Sequence, residues 1–235
     1  MPYTSLIAST VRAANGTLTR TVWTLAPLGS NPSAILIFLD AEFYIERSMA
    51  PAVRRLRDNG LIPDVVTLFV SHVSQASRNQ DFTCCPDYAR FIAEDLVAWI
   101  QQQYPNVTDI VLAGLSLSGL AAAYIASRYP NVFRSVICQS GSFWWERGRF
   151  ANELPAAARP GQEYWLCVGS LEADVDVSHE YLFQEWSQIA GCISASAALR
   201  AKGYGVSYRE YDGGHDFACW REDLALALPW AWRRA

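Results

Sequence analysis

The stretch DIVLAGLSLSGLAA (109–122) passes from an apolar run directly into a run of small residues, with Ser116 at the junction. The first run is typical of a buried β-strand and the second of a helix packed tightly on a sheet. A sharp turn between them makes a serine oxygen project above the sheet, provided that small residues lie two positions before and after the serine. Gly114 meets the first requirement, and Ser118, followed by a glycine, stands in the second position. A serine- and glycine-rich turn without any chemistry gives the same pattern.

Outward from this stretch, apolar runs bounded by turn signals alternate with helical patterns along the chain. The predicted strands are residues 20–26, 34–40, 65–70, 109–114, 135–140, 163–169 and 206–211. Four of them are almost continuously apolar, as strands covered by helices on both faces must be. The predicted long helices are residues 86–100, 117–129 and 180–202. We therefore predict a three-layer α/β fold with a mostly parallel central sheet.

Composition and charge narrow the class of protein. The 235 residues are 51% hydrophobic and 18% charged, which is typical of a globular protein, and we expect a single domain over residues 1–235. The 19 basic and 23 acidic side chains form no polybasic run, so neither nucleic acid nor a membrane is expected as a partner. The start of the chain lacks a basic opening followed by an apolar run, and the six cysteines lack metal or dithiol spacing. We therefore expect a cytoplasmic protein, of undefined oligomeric state.

A serine hydroxyl becomes a nucleophile at neutral pH only beside a base, and the chain has three histidines. His72 follows a predicted strand and His179 opens a predicted helical stretch, so both are typical of polar surface or loop residues. His215 lies in DGGHDF (212–217), between the last predicted strand and the last helix. Two glycines there let the loop bend toward Ser116. The sequence therefore favours His215 as the general base.

The carboxylate that orients such a histidine is expected at the end of a strand between the serine and the histidine. The predicted strand that ends at Gly169 is followed by three candidates, Glu172, Asp174 and Asp176. Glu172 is nearest the strand end and is favoured, with Asp174 as the alternative and Asp176 third. Each of the three is also compatible with an ordinary solvated loop acid.

Backbone N–H groups are expected to stabilise the negative charge that develops on an attacked carbonyl oxygen. One is the N–H of Leu117, directly after the serine, and the other comes from the loop after strand 34–40, near Ala41 or Glu42. No metal and no organic cofactor is required for this chemistry.

Three segments in this order, LAGLS (112–116), QSGSFWW (139–145) and GGHDFACWR (213–221), resemble the enterochelin (enterobactin) esterase catalytic domain of the esterase D / putative esterase family. FLDAEF (38–43) resembles that family's L-L-D-G segment, with Ala41 where the family commonly has glycine. The resemblance covers roughly residues 20 to 230. About 20 residues precede the first predicted core strand, so the separate N-terminal β-domain of the larger members is expected to be absent.

The resemblance implies the α/β-hydrolase fold and ester hydrolysis by a Ser-His-acid mechanism. Ser116 is then the nucleophile, His215 the base and afterwards the acid, and Glu172 the orienting carboxylate. The family's siderophore members cleave the trilactone of ferric catecholate siderophores, which helps to release iron in the cytoplasm. A small-molecule ester is thus the expected substrate, and any iron belongs to it.

Arginine and tryptophan side chains are candidates for binding an anionic, aromatic siderophore by charge pairing and stacking. The candidates are Arg78, Trp144 and Trp145, with Arg47 and Arg147 as weaker ones. Buried tryptophans and surface arginines explain the same residues without any role in binding.

Two other functions fit the same motifs. The first is a general carboxylesterase of the same family, acting on feruloyl, S-formylglutathione or other acyl esters. The second, from a different class, is a catalytically silent relative that only binds a ligand. The presence of both a candidate nucleophile and a candidate base argues against the second.

Overall fold

The computed structural model describes residues 6–157, 161–179 and 182–233. Its strands are β1 (Ile7–Arg12), β2 (Thr19–Leu25), β3 (Ala34–Leu39), β4 (Val65–Val70), β5 (Asp109–Leu115), β6 (Ser135–Gln139), β7 (Glu163–Gly169), β8 (Val177–His179), β9 (Leu182–Gln184) and β10 (Gly205–Tyr211). Its helices are α1 (Ala41–Glu46), α2 (Met49–Asp58), α3 (Gln75–Phe82), α4 (Pro86–Arg90), α5 (Val97–Gln103), α6 (Ser116–Arg128), α7 (Trp145–Glu153), α8 (Gln188–Ala201) and α9 (Phe217–Ala231). A π-helical segment, Phe91–Leu96, joins α4 to α5.

Eight of the strands form one sheet in the order β1-β2-β4-β3-β5-β6-β7-β10. The pairs β1/β2 and β2/β4 are antiparallel, and every pair from β4 to β10 is parallel. The predicted α/β fold with a mostly parallel sheet is therefore confirmed. Because the carboxyl ends of the parallel strands meet at one edge of the sheet, the loops that follow β3, β5, β6, β7 and β10 lie side by side there.

Each face of the sheet carries its own hydrophobic core, since successive side chains of a strand point to opposite faces. Along β3, Ile35 and Ile37 belong to one core, which α3 to α8 cover, whereas Leu36 and Phe38 belong to the other, which α1, α2 and α9 cover. All four side chains are fully buried. Burial on both faces explains why these strands are continuously apolar in sequence.

The structure differs from the sequence prediction at two places. Residues 7–12 form an unpredicted edge strand, in which Val11 is buried while most of its neighbours are exposed, so the segment lacks a continuous apolar run. The helix predicted over 180–202 begins at Gln188 instead, because the Ser187 side chain caps it by accepting a hydrogen bond from the N–H of Ala190. Residues 182–184 pair with β8 as a hairpin, and residues 180 and 181 lie outside the described residues.

Two further observations concern the helices and the cysteines. Within the described ranges, the helices are too short or too polar to cross a membrane. All six cysteines have free thiols.

Candidate active site

Ser116 lies where β5 turns into α6, with a φ of 51°. This left-handed conformation is rare for a residue with a side chain and persists only where the surroundings enforce it. Ser118 does so from within the turn. Its hydroxyl donates to the carbonyl of Leu115 at 2.7 Å and accepts from the N–H of the same residue at 2.9 Å. The Ser118 side chain therefore stabilises the turn through two hydrogen bonds to Leu115.

Gly114 is required for the close approach of β5 and α6. A Cβ added there would lie 2.1 Å from the backbone oxygen of Ser118, far inside contact distance. We expect Gly114→Ala to lower the free energy of unfolding by about 3 kcal/mol or more, because backbone atoms must move apart. Urea denaturation followed by circular dichroism measures the change.

Gly29→Ala is the matched control for that prediction. Its added Cβ would meet the Asp64 carboxylate at 3.5 Å, an ordinary contact distance. We expect it to change the free energy of unfolding by less than about 1 kcal/mol. A loss of similar size in both variants would contradict the packing argument.

His215 and Glu172 extend a chain of contacts from Ser116. The Oγ atom of Ser116 lies 3.0 Å from Nε2 of His215, and Nδ1 of His215 lies 2.5 Å from Oε2 of Glu172. These two residues follow β10 and β7, which are neighbours in the sheet. Gly169 permits their loops to touch, since a Cβ there would lie 2.3 Å from the oxygen of Gly213. Three residues that are distant in sequence thus meet at the carboxyl edge of the sheet.

The second oxygen of Glu172 is held by three donors. Oε1 accepts hydrogen bonds from Ser140 Oγ at 2.7 Å, from the N–H of Gly169 at 2.7 Å and from Tyr211 Oη at 3.0 Å. Burial alone would raise the pKa of Glu172, but the hydrogen bond and charge of His215, with the bonds from Ser140 and Gly169, lower that pKa below its ordinary value. Glu172 is therefore ionised at neutral pH and able to orient the imidazole.

The other two candidate acids lie differently. Asp174 and Asp176 are exposed, although Asp174 lines the cavity beside the serine. The backbone carbonyl of Asp174 accepts a hydrogen bond from the Gln184 side chain at 3.1 Å. In the described parts of the chain, the carboxylate in contact with His215 is that of Glu172.

Trp220 contacts both His215 and Ser140, the residue whose hydroxyl binds the Glu172 carboxylate. The indole N–H of Trp220 donates to Ser140 Oγ at 2.9 Å, and the Trp220 ring stands perpendicular to the His215 ring at a centroid distance of 4.7 Å. Sequence reasoning assigned no role to Ser140 or Tyr211. The available signal for Ser140 was its place at the carboxyl end of a buried strand, next to a glycine.

The predicted backbone donors lie at the beginnings of two helices, which follow the neighbouring strands β5 and β3. Leu117 lies in the first turn of α6, where an N–H has no partner within the helix, and it lines the cavity. Ala41 and Glu42 begin α1, directly after Asp40 with a φ of 70°, at the end of β3 beside β5. Neither of them is among the residues that line the cavity. The Glu42 carboxylate accepts hydrogen bonds from the hydroxyl of Ser71 and, at 3.1 Å, from the N–H of His72.

A cavity of about 500 Å³ adjoins Ser116 and His215. Side chains of α3, α8 and the β8–β9 hairpin form its walls, together with Trp144. The indole N–H of Trp144 donates to Gln188 Oε1 at 2.6 Å, and its ring stacks on that of His179 at 5.7 Å. Trp144 thus contributes an aromatic wall whose position is fixed by its neighbours.

Trp145 does not line this cavity. It packs partly against the hydrophobic core, and the Arg149 guanidinium carbon lies 5.4 Å from its ring centroid. The sequence prediction that Trp145 contacts substrate therefore has no support from its position. Of the weaker candidates, Arg47 lies over the Phe217 ring at 4.9 Å, and Arg147 pairs with Glu185 on the surface.

Arg78 lines the cavity, but its charge is already paired. Its guanidinium donates to both oxygens of the fully buried Asp40, with N–O distances of 2.8 to 3.0 Å. Arg78 therefore reaches the cavity as one partner of an ion pair, and its role in binding an anionic substrate stays a prediction. The sequence could not show this pairing, because the two residues lie 38 positions apart.

The remaining two histidines have other partners. His72 Nδ1 lies 2.6 Å from Asp40 Oδ1, and His179 Nε2 lies 2.9 Å from Gln184 Oε1. Asp40, Glu42 and His72 bring one potential metal ligand each within 4.8 Å of one another. The Arg78 guanidinium occupies both oxygens of Asp40, so a cation there would have to displace it.

Comparisons with known proteins agree with the fold and the motifs. A family model described as "Putative esterase" matches residues 21–231. An iron(III) enterobactin esterase from Dickeya dadantii is 27% identical over 217 residues, which are 83% of this chain and 47% of that protein. The iron(III) enterobactin esterase of Escherichia coli K12 is 26% identical over 227 residues, which are 91% and 54% of the two chains. The chain thus spans about half the length of these curated relatives.

Solved structures show the same fold. The enterobactin esterase from Shigella flexneri, crystallised in the presence of enterobactin, matches with a TM-score of 0.83 at 23% identity. The match covers 98% of this chain and 60% of that one. Because the family model extends from residue 21 to residue 231, the chain belongs to the putative esterase family.

Proposed function

We propose that the chain is a serine esterase with Ser116 as nucleophile, His215 as general base and Glu172 as the orienting acid. The observation that carries this proposal is the chain of two short contacts, from Ser116 Oγ to His215 Nε2 and from His215 Nδ1 to Glu172. Hydroxyl, imidazole and carboxylate in this order are the arrangement that activates a serine.

In the proposed reaction, Ser116 Oγ attacks the ester carbonyl carbon while His215 Nε2 takes the hydroxyl proton. The tetrahedral intermediate collapses when His215 returns that proton to the leaving alcohol oxygen, which leaves the acyl group on Ser116. Water then attacks the acyl-enzyme, with its proton going to His215, and the carboxylic acid leaves as Ser116 regains its proton. The proton transfers between Ser116 and His215 need little movement, because Ser116 Oγ lies 3.0 Å from His215 Nε2.

The negative oxygen of the intermediate is proposed to be held by the N–H of Leu117 and by a second N–H from Ala41 or Glu42. Leu117 begins α6, so the positive end of the helix dipole adds to its N–H. Asp40, with its left-handed φ of 70°, turns the chain between β3 and α1, so Ala41 and Glu42 begin that helix.

The proposed substrate is an ester of the catecholate siderophore class, a trilactone such as enterobactin. The names of the similar proteins support this class, and so does the aromatic wall formed by Trp144 and His179 beside the nucleophile. We propose a cytoplasmic location, which the six free thiols support because such thiols persist in reducing compartments.

Mass analysis of reaction products tests the substrate. The protein is incubated with enterobactin, in its metal-free and ferric forms, and in parallel with simple aryl and alkyl esters. Linear trimer, dimer or monomer of the catecholate unit is the expected product. Turnover of simple esters with the siderophore left intact would instead assign the chain to the general carboxylesterases of the family.

A further inference from the structure

The described side chains that line the cavity provide no excess of positive charge, which a ligand with three negative charges would require. Among the described residues that line it, the acidic and basic side chains other than histidine are Arg78, Glu172 and Asp174. One positive charge therefore faces two negative ones, and the positive one is not free. A ferric tricatecholate carries a net negative charge, since each catecholate contributes two and the iron(III) compensates for only three of the six.

The positive charge of Arg78 is offset by the carboxylate of Asp40. Both oxygens of Asp40 accept its N–H groups, Asp40 has no exposed surface, and the rings of Phe43 and Phe82 lie 5.2 and 5.7 Å from the guanidinium carbon. Releasing Arg78 toward a ligand would leave the Asp40 carboxylate buried without its main partner, which is strongly unfavourable. Asp40 and Arg78 together therefore present a nearly neutral surface to the cavity.

The rest of the wall consists of uncharged polar groups and an aromatic face. Gln75 and Asn79 of α3 contribute accessible carboxamides, and the exposed His179 ring, which stacks on the buried Trp144, contributes an aromatic face. Such groups suit a ligand with neutral hydroxyl, amide and ester groups on aromatic rings. Metal-free catechols fit this description, because phenolic hydroxyls keep their protons at neutral pH.

We propose that this cavity selects the metal-free, electrically neutral catecholate lactone and disfavours its trianionic metal complex. This inference rests on the proposed function, and it fixes which form of the substrate that site accepts. Asp174 is the exposed acid whose charge acts on the ligand most directly, since it is on the cavity wall and outside the contact between Glu172 and His215.

Binding measured without turnover tests the selection. Ser116→Ala protein is titrated calorimetrically with metal-free enterobactin and with its gallium(III) complex, which has the charge of the ferric complex but no redox chemistry. The metal-free compound is expected to bind about tenfold or more tightly, and the difference is expected to narrow as salt screens the repulsion. Equal or tighter binding of the gallium complex, or no binding of the metal-free compound, would overturn the proposal.

Two charge variants test whether Asp174 causes the difference in affinity between the metal-free compound and its gallium complex. Asp174→Asn in the Ser116→Ala background is expected to narrow the difference in affinity severalfold. Glu163→Gln removes one negative charge at the opposite end of β7 and is expected to leave the difference unchanged. An equal effect of both variants would contradict a local origin. The binding measurement does not depend on hydrolysis. A wild-type protein that hydrolyses no ester would therefore refute the proposed function, whereas the ratio of the two affinities would still test the selection of the metal-free form.

Discussion

Ser116→Ala is expected to lower kcat for an activated aryl ester by about 10⁴- to 10⁶-fold, with the fold retained. The substitution removes the only atom that would form the acyl bond, whereas the cavity and the backbone donors remain. Residual hydrolysis would come from water attacking an ester held beside those donors. The measurement is steady-state hydrolysis of a 4-nitrophenyl ester, with circular dichroism to verify the fold.

Ser142→Ala is the matched control, because its hydroxyl lies 3.5 Å from that of Ser116 in the same cavity and does not contact His215. We expect its kcat to fall less than about tenfold, as for the loss of a side chain with no covalent role. Unchanged hydrolysis in Ser116→Ala would reject Ser116 as the nucleophile. A comparable loss in both variants would point to a damaged cavity.

The sequence was sufficient for the parts of the fold that burial determines. The inner strands, such as β3 and β4, are almost continuously apolar because helices cover both faces. The β5–α6 turn is recognisable from the small residues around Ser116. The edge strand over residues 7–12 escaped prediction because exposure leaves it without that signal. The sequence did not predict the β8–β9 hairpin, because three-residue strands are too short to show an alternation of apolar and polar residues.

The candidate site was predictable at the level of residue types and less so at the level of contacts. Glu172 and Asp174 differ by two positions in one loop, and what separates them in space is a set of donors from other strands, Ser140 after β6 and Tyr211 at the end of β10. Arg78 was identified as a residue of the cavity, but its partner Asp40 comes from a different strand end. Such pairings are tertiary, so a single sequence with its local patterns does not contain them.

Glu172→Gln is expected to lower kcat by about 10³- to 10⁴-fold, whereas Asp174→Asn is expected to lower it less than about threefold. The reason lies in the donors around Glu172. The N–H of Gly169 can only donate, so the amide oxygen of a glutamine would turn toward it and the amide NH₂ toward His215. Nδ1 of His215 would then have to accept a hydrogen bond, which places the ring proton on Nε2, facing Ser116. An imidazole in that tautomer cannot take the serine proton.

The pair of variants also excludes a purely structural explanation. Glutamine has the shape of glutamate and retains a carbonyl for Gly169, so the loop is expected to keep its position and the melting temperature to change little. Both variants are measured with the same 4-nitrophenyl ester, together with KM, which is expected to stay within about threefold because neither change fills the cavity. A larger loss in Asp174→Asn than in Glu172→Gln would transfer the orienting role to Asp174. Equal losses of kcat in the two variants would indicate that both substitutions displace the loop after β7. The comparison would then assign the orienting role to neither carboxylate.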